Sequence, residues 1–118
     1  MTEHLNVVED VTSHCVLVVL CKPKEKIGNS MLYAPERMRR AEECGTHFAK
    51  ILKISESAYC DTPYNPNYKP GDYIVFSNYA GIPIVTRANG FTEEQRLVLD
   101  REILGRANIE FIKEHYEV

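Results

Sequence analysis

The stretch GDYIVFSNYAGIPIV, residues 71–85, carries most of the fold information in this chain. Gly71-Asp72 is turn chemistry, and Tyr73 to Ser77 is rich in β-branched and aromatic residues. Asn78 to Gly81 bends the chain, and Ile82 to Val85 is again strand-like, so the segment reads as a hairpin of two short strands. Upstream, VTSHCVLVVLCKP (residues 11–23) contains six consecutive apolar or Cys residues, Val16 to Cys21, ending at Lys22 and Pro23. Such a run predicts a strand buried on both faces. Cys15, Leu17, Val19 and Cys21 share one side of it, because strand side chains alternate. THFAKILKI, residues 46–54, predicts a third strand, with Phe48, Ile51 or Leu52, and Ile54 facing inward. Close-spaced short strands punctuated by Gly and Pro favour a small antiparallel barrel or sandwich.

Around these strands lie two segments of other character. Residues 24–45, KEKIGNSMLYAPERMRRAEECG, are charged and Gly-punctuated and carry one apolar island, Met31-Leu32-Tyr33-Ala34. That composition suits a mobile binding loop; the competing reading is a short surface helix from Glu36 to Glu43 behind Pro35. Residues 55–70 are turn-forming, interrupted by Pro63, Pro66 and Pro70. The stretch FTEEQRLVLDREILG, residues 91–105, is ambiguous: Thr92 and Gln95 form a capping-box pattern, yet RLVL-DRE-ILG also reads as strand, turn, strand.

Composition excludes several classes. The chain has 118 residues, 44% hydrophobic and 26% charged, the profile of one folded domain rather than a disordered segment. Fourteen Lys and Arg against seventeen Asp and Glu leave a net charge of −3, with no basic excess for nucleic acid. Five tyrosines between Tyr59 and Tyr79 would suit base stacking, but Lys69 is the one basic residue among them. No apolar run reaches membrane-spanning length, and MTEHLNVVEDVTSH lacks the regions of a signal peptide, so a cytoplasmic location is expected. Cys15, Cys21, Cys44 and Cys60 form no C-x-x-C pair, and the four histidines form no ligand motif. Free thiols are therefore expected, with no metal and no cofactor. Asp72 and Glu102 could be drawn as a carboxylate pair, but both sit in turn sequences. No phosphate-binding glycine motif or nucleophile elbow is present, and the expectation is a protein that is not an enzyme.

Four segments together resemble the GroES-type co-chaperonins, the ring-forming lids of chaperonin cages. GDYIVFSNYAGIPI is similar to the family's Gly-Asp turn, strand and Tyr-Ala-Gly bend. HCVLVVLCKP looks like the first barrel strand, SMLYAPE like the signature of the mobile loop, and RLVLDREILG like the closing segment. Eight residues separate Glu36 from Gly45, as in the family, and the resemblance spans roughly residues 11–107. It resolves the 91–105 ambiguity in favour of strand, turn, strand. The Tyr- and Pro-rich 55–70 segment is most similar to shortened phage and prophage members.

The resemblance implies a GroES-like antiparallel β-barrel of residues 1–118, with a mobile loop at 24–45 and a C-terminal extension at 108–118. It implies a homo-oligomeric ring, a heptamer, with Val16 and Val18 of the first strand and Ile103 and Leu104 of the last at the interface. It implies a chaperonin-binding site at Met31, Leu32, Tyr33 and Ala34, with ATP handled by the partner chaperonin. Nucleic acid and membrane are not expected partners, and the host cytoplasm is the expected site if a virus encodes the chain. Burying Leu32 or Tyr33 would contribute roughly 1.5–3 kcal/mol each, and Ala34 much less. Three departures also support a second expectation, a GroES-fold viral structural or assembly component with no chaperonin: Ser30-Met31 in place of Gly-Gly, the missing roof hairpin, and the C-terminal tail.

Overall fold

A computed structural model of the protein describes residues 4–23 and 46–117. The chain is mainly β. Strands β1 (Cys15–Leu20), β3 (Thr46–Ile54), β4 (Tyr73–Ser77), β5 (Ile82–Val85), β6 (Gln95–Leu99) and β7 (Ile103–Arg106) form one sheet in the order β5-β6-β1-β3-β4-β7. Every neighbouring pair in it is antiparallel. A second, two-stranded ladder joins β2 (Lys22–Pro23) to β8 (Tyr116–Glu117), which follows the helix α1 (Ile109–His115).

β1 lies inside the sheet because its apolar run has no solvent-tolerant face. Val16, Val18 and Leu20 enter the core with Ala49, Ile51, Ile74, Phe76, Ala80, Val98 and Ile103, while Leu17 and Val19 are buried on the opposite side. β3 obeys the alternation rule only with a correction. Leu17 pairs with Lys53 but Val18 with Ile51, so Leu52 is an extra residue in a β-bulge. The bulge lets Ile51 and Ile54, three apart, both pack toward the core, with Ala49 rather than Phe48 as the preceding inward residue.

The expected hairpin between 73–77 and 82–85 does not form. β4 pairs with β3 and β7, whereas β5 pairs with β6 and places Pro83 on an edge strand, where a missing N–H is tolerated. Residues 78–81 therefore cross from one side of the sheet to the other. Flat, four strand spacings would be about 19 Å, and five Cα steps reach at most about 18 Å. The sheet must curl to bring β4 and β5 together.

Two devices hold this corner. Arg96 donates from Nη1 to the carbonyls of Asn78 (3.0 Å) and Ala80 (3.2 Å) while its Nε bonds Glu94 (2.8 Å). Gly81 has φ +82°, and a Cβ there would stand 2.5 Å from Val98 Cγ1 and 2.9 Å from the Leu97 carbonyl oxygen. The strand, turn, strand reading of 96–105 is correct in its elements, through a 3-10 turn at Asp100–Glu102. Its two strands do not pair with each other; β6 joins β1 and β5, and β7 joins β4.

Candidate functional site

The apolar island Met31, Leu32, Tyr33 and Ala34, and with it the whole 24–45 loop, lies outside the described residues. What the structure shows is the ground on which that segment stands. Its N-terminal foot is β2, and its C-terminal foot is the start of β3. The C-terminal extension binds both. Lys22 pairs with Glu117 and Pro23 with Tyr116, and the Phe48 ring packs on Tyr116 (5.4 Å between centroids) and Phe111 (5.7 Å). Helix α1 is short for independent stability. It starts at an Asn108 cap accepting from Glu110 and Phe111 N–H, and Ile112, fully buried, fixes it to the body. Residues 108–117 are thus a built part of the domain.

Beside the feet lies a cavity of about 420 Å³ whose lining includes Cys21, Lys22, Lys50, Tyr73, Arg87 and Glu93. Burial pushes the Cys21 thiol up to about 12, against the partly offsetting charge of Lys50, so it stays protonated and inert as a nucleophile. Burial alone would raise Glu93 as well. Hydrogen bonds from His4 (2.9 Å), Gln95 (2.6 Å) and the Leu5 N–H (2.9 Å) outweigh it and hold this carboxyl below its ordinary range. These bonds tie the N-terminal arm to β6.

The interface residues separate into two groups. Val16 and Val18 are 0% exposed, and β1 has both edges paired within the chain, to β3 and β6. They are core residues, and β1 leaves no free edge for the interface expected there. Ile103 is also core. Leu104, next to it on β7, is 64% exposed, and β7 ends the sheet; Ile82 on the opposite terminal strand, β5, is 69% exposed. Among the described residues the sheet thus ends at β5 and β7, each bearing an exposed apolar side chain.

Other residues singled out from sequence have local duties. Asp72 accepts from the Lys69 N–H (2.9 Å), and Glu102 accepts from the Leu99 N–H (2.8 Å), so each stabilises its own turn. Tyr59 packs on Tyr68 (5.7 Å) and donates its hydroxyl to the Asp100 carbonyl (2.6 Å), while the Arg106 guanidinium lies over the Tyr68 ring. These two tyrosines anchor the 55–70 segment to the 3-10 turn and to β7. The cysteine and histidine spacing gave no sign that His14, Cys60 and Asp61 would meet, yet the fold gathers them at one point.

No family model matches this chain, and no curated protein matches it. Among the described residues no helix is long and apolar enough to cross a membrane.

Proposed function

We propose that the protein is a ring-forming lid of the GroES co-chaperonin type, acting in the cytoplasm of its host without catalytic chemistry of its own. The observation carrying this reading is a curled antiparallel sheet with two terminal strands, β5 and β7, that bear exposed apolar side chains. Between β2 and β3 it carries a 22-residue insertion, 24–45, whose feet are clamped by the C-terminal extension. Terminal strands invite pairing with further copies, and a ring closes every edge at once. Each copy then contributes one Met31-Leu32-Tyr33 anchor to a groove of the chaperonin. One such anchor binds weakly, whereas a ring of them binds through effective concentration and is released together.

A second reading, a virus-encoded structural component with no chaperonin, draws on one observation: Ile109 and Phe111 of α1 remain 43% and 44% exposed, an apolar surface that a lid does not require. Native mass measurement with a GroEL-type chaperonin and ATP distinguishes the two. The lid reading expects a nucleotide-dependent complex that Leu32→Asp abolishes with the ring intact; the structural-component reading expects no complex.

A further inference from the structure

Away from both the loop base and the sheet edges, three segments meet at the start of β1. His14 immediately precedes β1, Cys60 and Asp61 lie in the turns after β3, and Asp100 opens the 3-10 turn after β6. One ligand atom each from His14, Cys60 and Asp61 lie within 4.8 Å of one another, and His14 Nε2 stands 3.9 Å from Asp61 Oδ2. Behind them the buried Asp100 carboxylate sits 3.1 Å from His14 Nδ1 and accepts from the Tyr59 N–H (2.8 Å). The two ring nitrogens therefore have separate neighbours: Nδ1 faces Asp100, and Nε2 faces Asp61.

We propose that His14, Cys60 and Asp61 form a binding site for a divalent zinc-class ion, with Asp100 as the outer carboxylate that orients His14. The donor set is one nitrogen, one thiolate sulfur and one carboxylate oxygen, the combination that a borderline-soft cation takes. The carboxylate–imidazole pair behind it is the usual support of a metal-bound histidine. Ligand–ligand edges in a tetrahedral zinc site are roughly 3.4–3.6 Å. Cys60 and Asp61 are exposed and need to close by about an ångström to reach them, while the half-buried His14 stays fixed by Asp100. Backbone geometry concentrates here too. Ser13 (φ 60°) and Tyr59 (φ 64°) occupy the left-handed region, each directly before a ligand residue. Three protein ligands leave the fourth position to water, so the site is open, and filling it staples the 55–62 turns to the start of β1. The absence of a C-x-x-C pair thus does not exclude a metal.

The test is a titration of the metal-free, reduced full-length chain with Co²⁺, then competition by Zn²⁺. One cobalt per chain with a thiolate-to-cobalt charge-transfer band is expected, displaced by zinc. Cys60→Ser should abolish the band, and Asp61→Ala should weaken cobalt binding at least tenfold. Cys15→Ser, Cys21→Ser and Cys44→Ser should each retain both band and stoichiometry. Zinc should slow alkylation of Cys60, mapped by mass spectrometry on the wild type, which keeps the proposal testable if a variant misfolds. A wild-type chain without the band, a band that survives Cys60→Ser, or alkylation of Cys60 at an unchanged rate overturns it.

Discussion

Pro23 and Tyr116 stand opposite one another in the β2–β8 ladder, so the C-terminal end of the chain closes on the place where residues 24–45 depart. The Tyr116 ring also meets Phe48 at the other foot. The extension therefore acts on both ends of the insertion at once. Ile112→Ala should lower stability by about 2–5 kcal/mol, the range for truncating a fully buried aliphatic side chain. Tyr116→Ala should cost about 1–3 kcal/mol through two lost ring contacts and their buried area. Urea unfolding midpoints check both; unchanged midpoints would show that the extension is not packed on the body.

Gly81 and Gly90 make a matched comparison. Both have positive φ (+82° and +93°), but a Cβ at Gly90 meets nothing within 4 Å, whereas one at Gly81 collides with Val98 and the Leu97 carbonyl. Gly90→Ala should cost only the backbone term, about 1–2 kcal/mol. Gly81→Ala should cost clearly more, because the β4–β5 corner must move to admit the methyl group. Equal losses in chemical denaturation would mean that the corner is loose.

Much of this architecture is legible in the residues. The Val16–Cys21 run has no polar alternation and so must be interior, and β3 and β4 follow from apolar, β-branched and aromatic content between turn residues, whereas β6 and β7 carry a competing helix pattern that the residues alone do not resolve. Pairing was not legible. Ile82–Val85 follows Tyr73–Ser77 across a hairpin-like bend, yet β5 pairs with β6 and β4 with β3 and β7, a crossing that the Arg96 bonds to 78 and 80 and the tight approach at Gly81 hold in place. The Leu52 bulge shifts the inward face by one residue, which no periodicity reveals. Val16 and Val18 could have belonged to a core or an interface, because both bury the same apolar surface. His14 and Cys60 meet through tertiary pairing, which their separation in sequence hides.

Acid should loosen the N-terminal arm. Glu93 is held below its ordinary range in the folded chain, so its contribution to stability is complete above the unfolded carboxyl value, near 4.3, and disappears as pH falls through the lower folded value. Glu93→Gln should be less stable than wild type at pH 7, and the gap should narrow toward pH 3. Denaturation midpoints across that range report it; a gap independent of pH would mean that the charge of Glu93 contributes nothing.

Adjacent residues on β7 should respond in opposite ways to the same change. Leu104→Lys places a charge on the exposed side of the terminal strand and should dissociate the proposed ring into folded monomers. Ile103→Lys buries an unpaired ammonium in the core and should unfold the chain. Sedimentation and circular dichroism at micromolar concentration separate the two outcomes. Folded, fully assembled Leu104→Lys would move the interface away from β7.

Native mass spectrometry of the full-length chain, with and without a GroEL-type chaperonin and ATP, checks the proposed ring and its capping through the 24–45 segment. A lid of this kind forms a closed oligomer alone, a heptamer, and a larger complex with a GroEL-type chaperonin that forms only with ATP and is lost in Leu32→Asp. A wild-type monomer at micromolar concentration, or an oligomer that binds chaperonin equally well with and without Leu32, would contradict it.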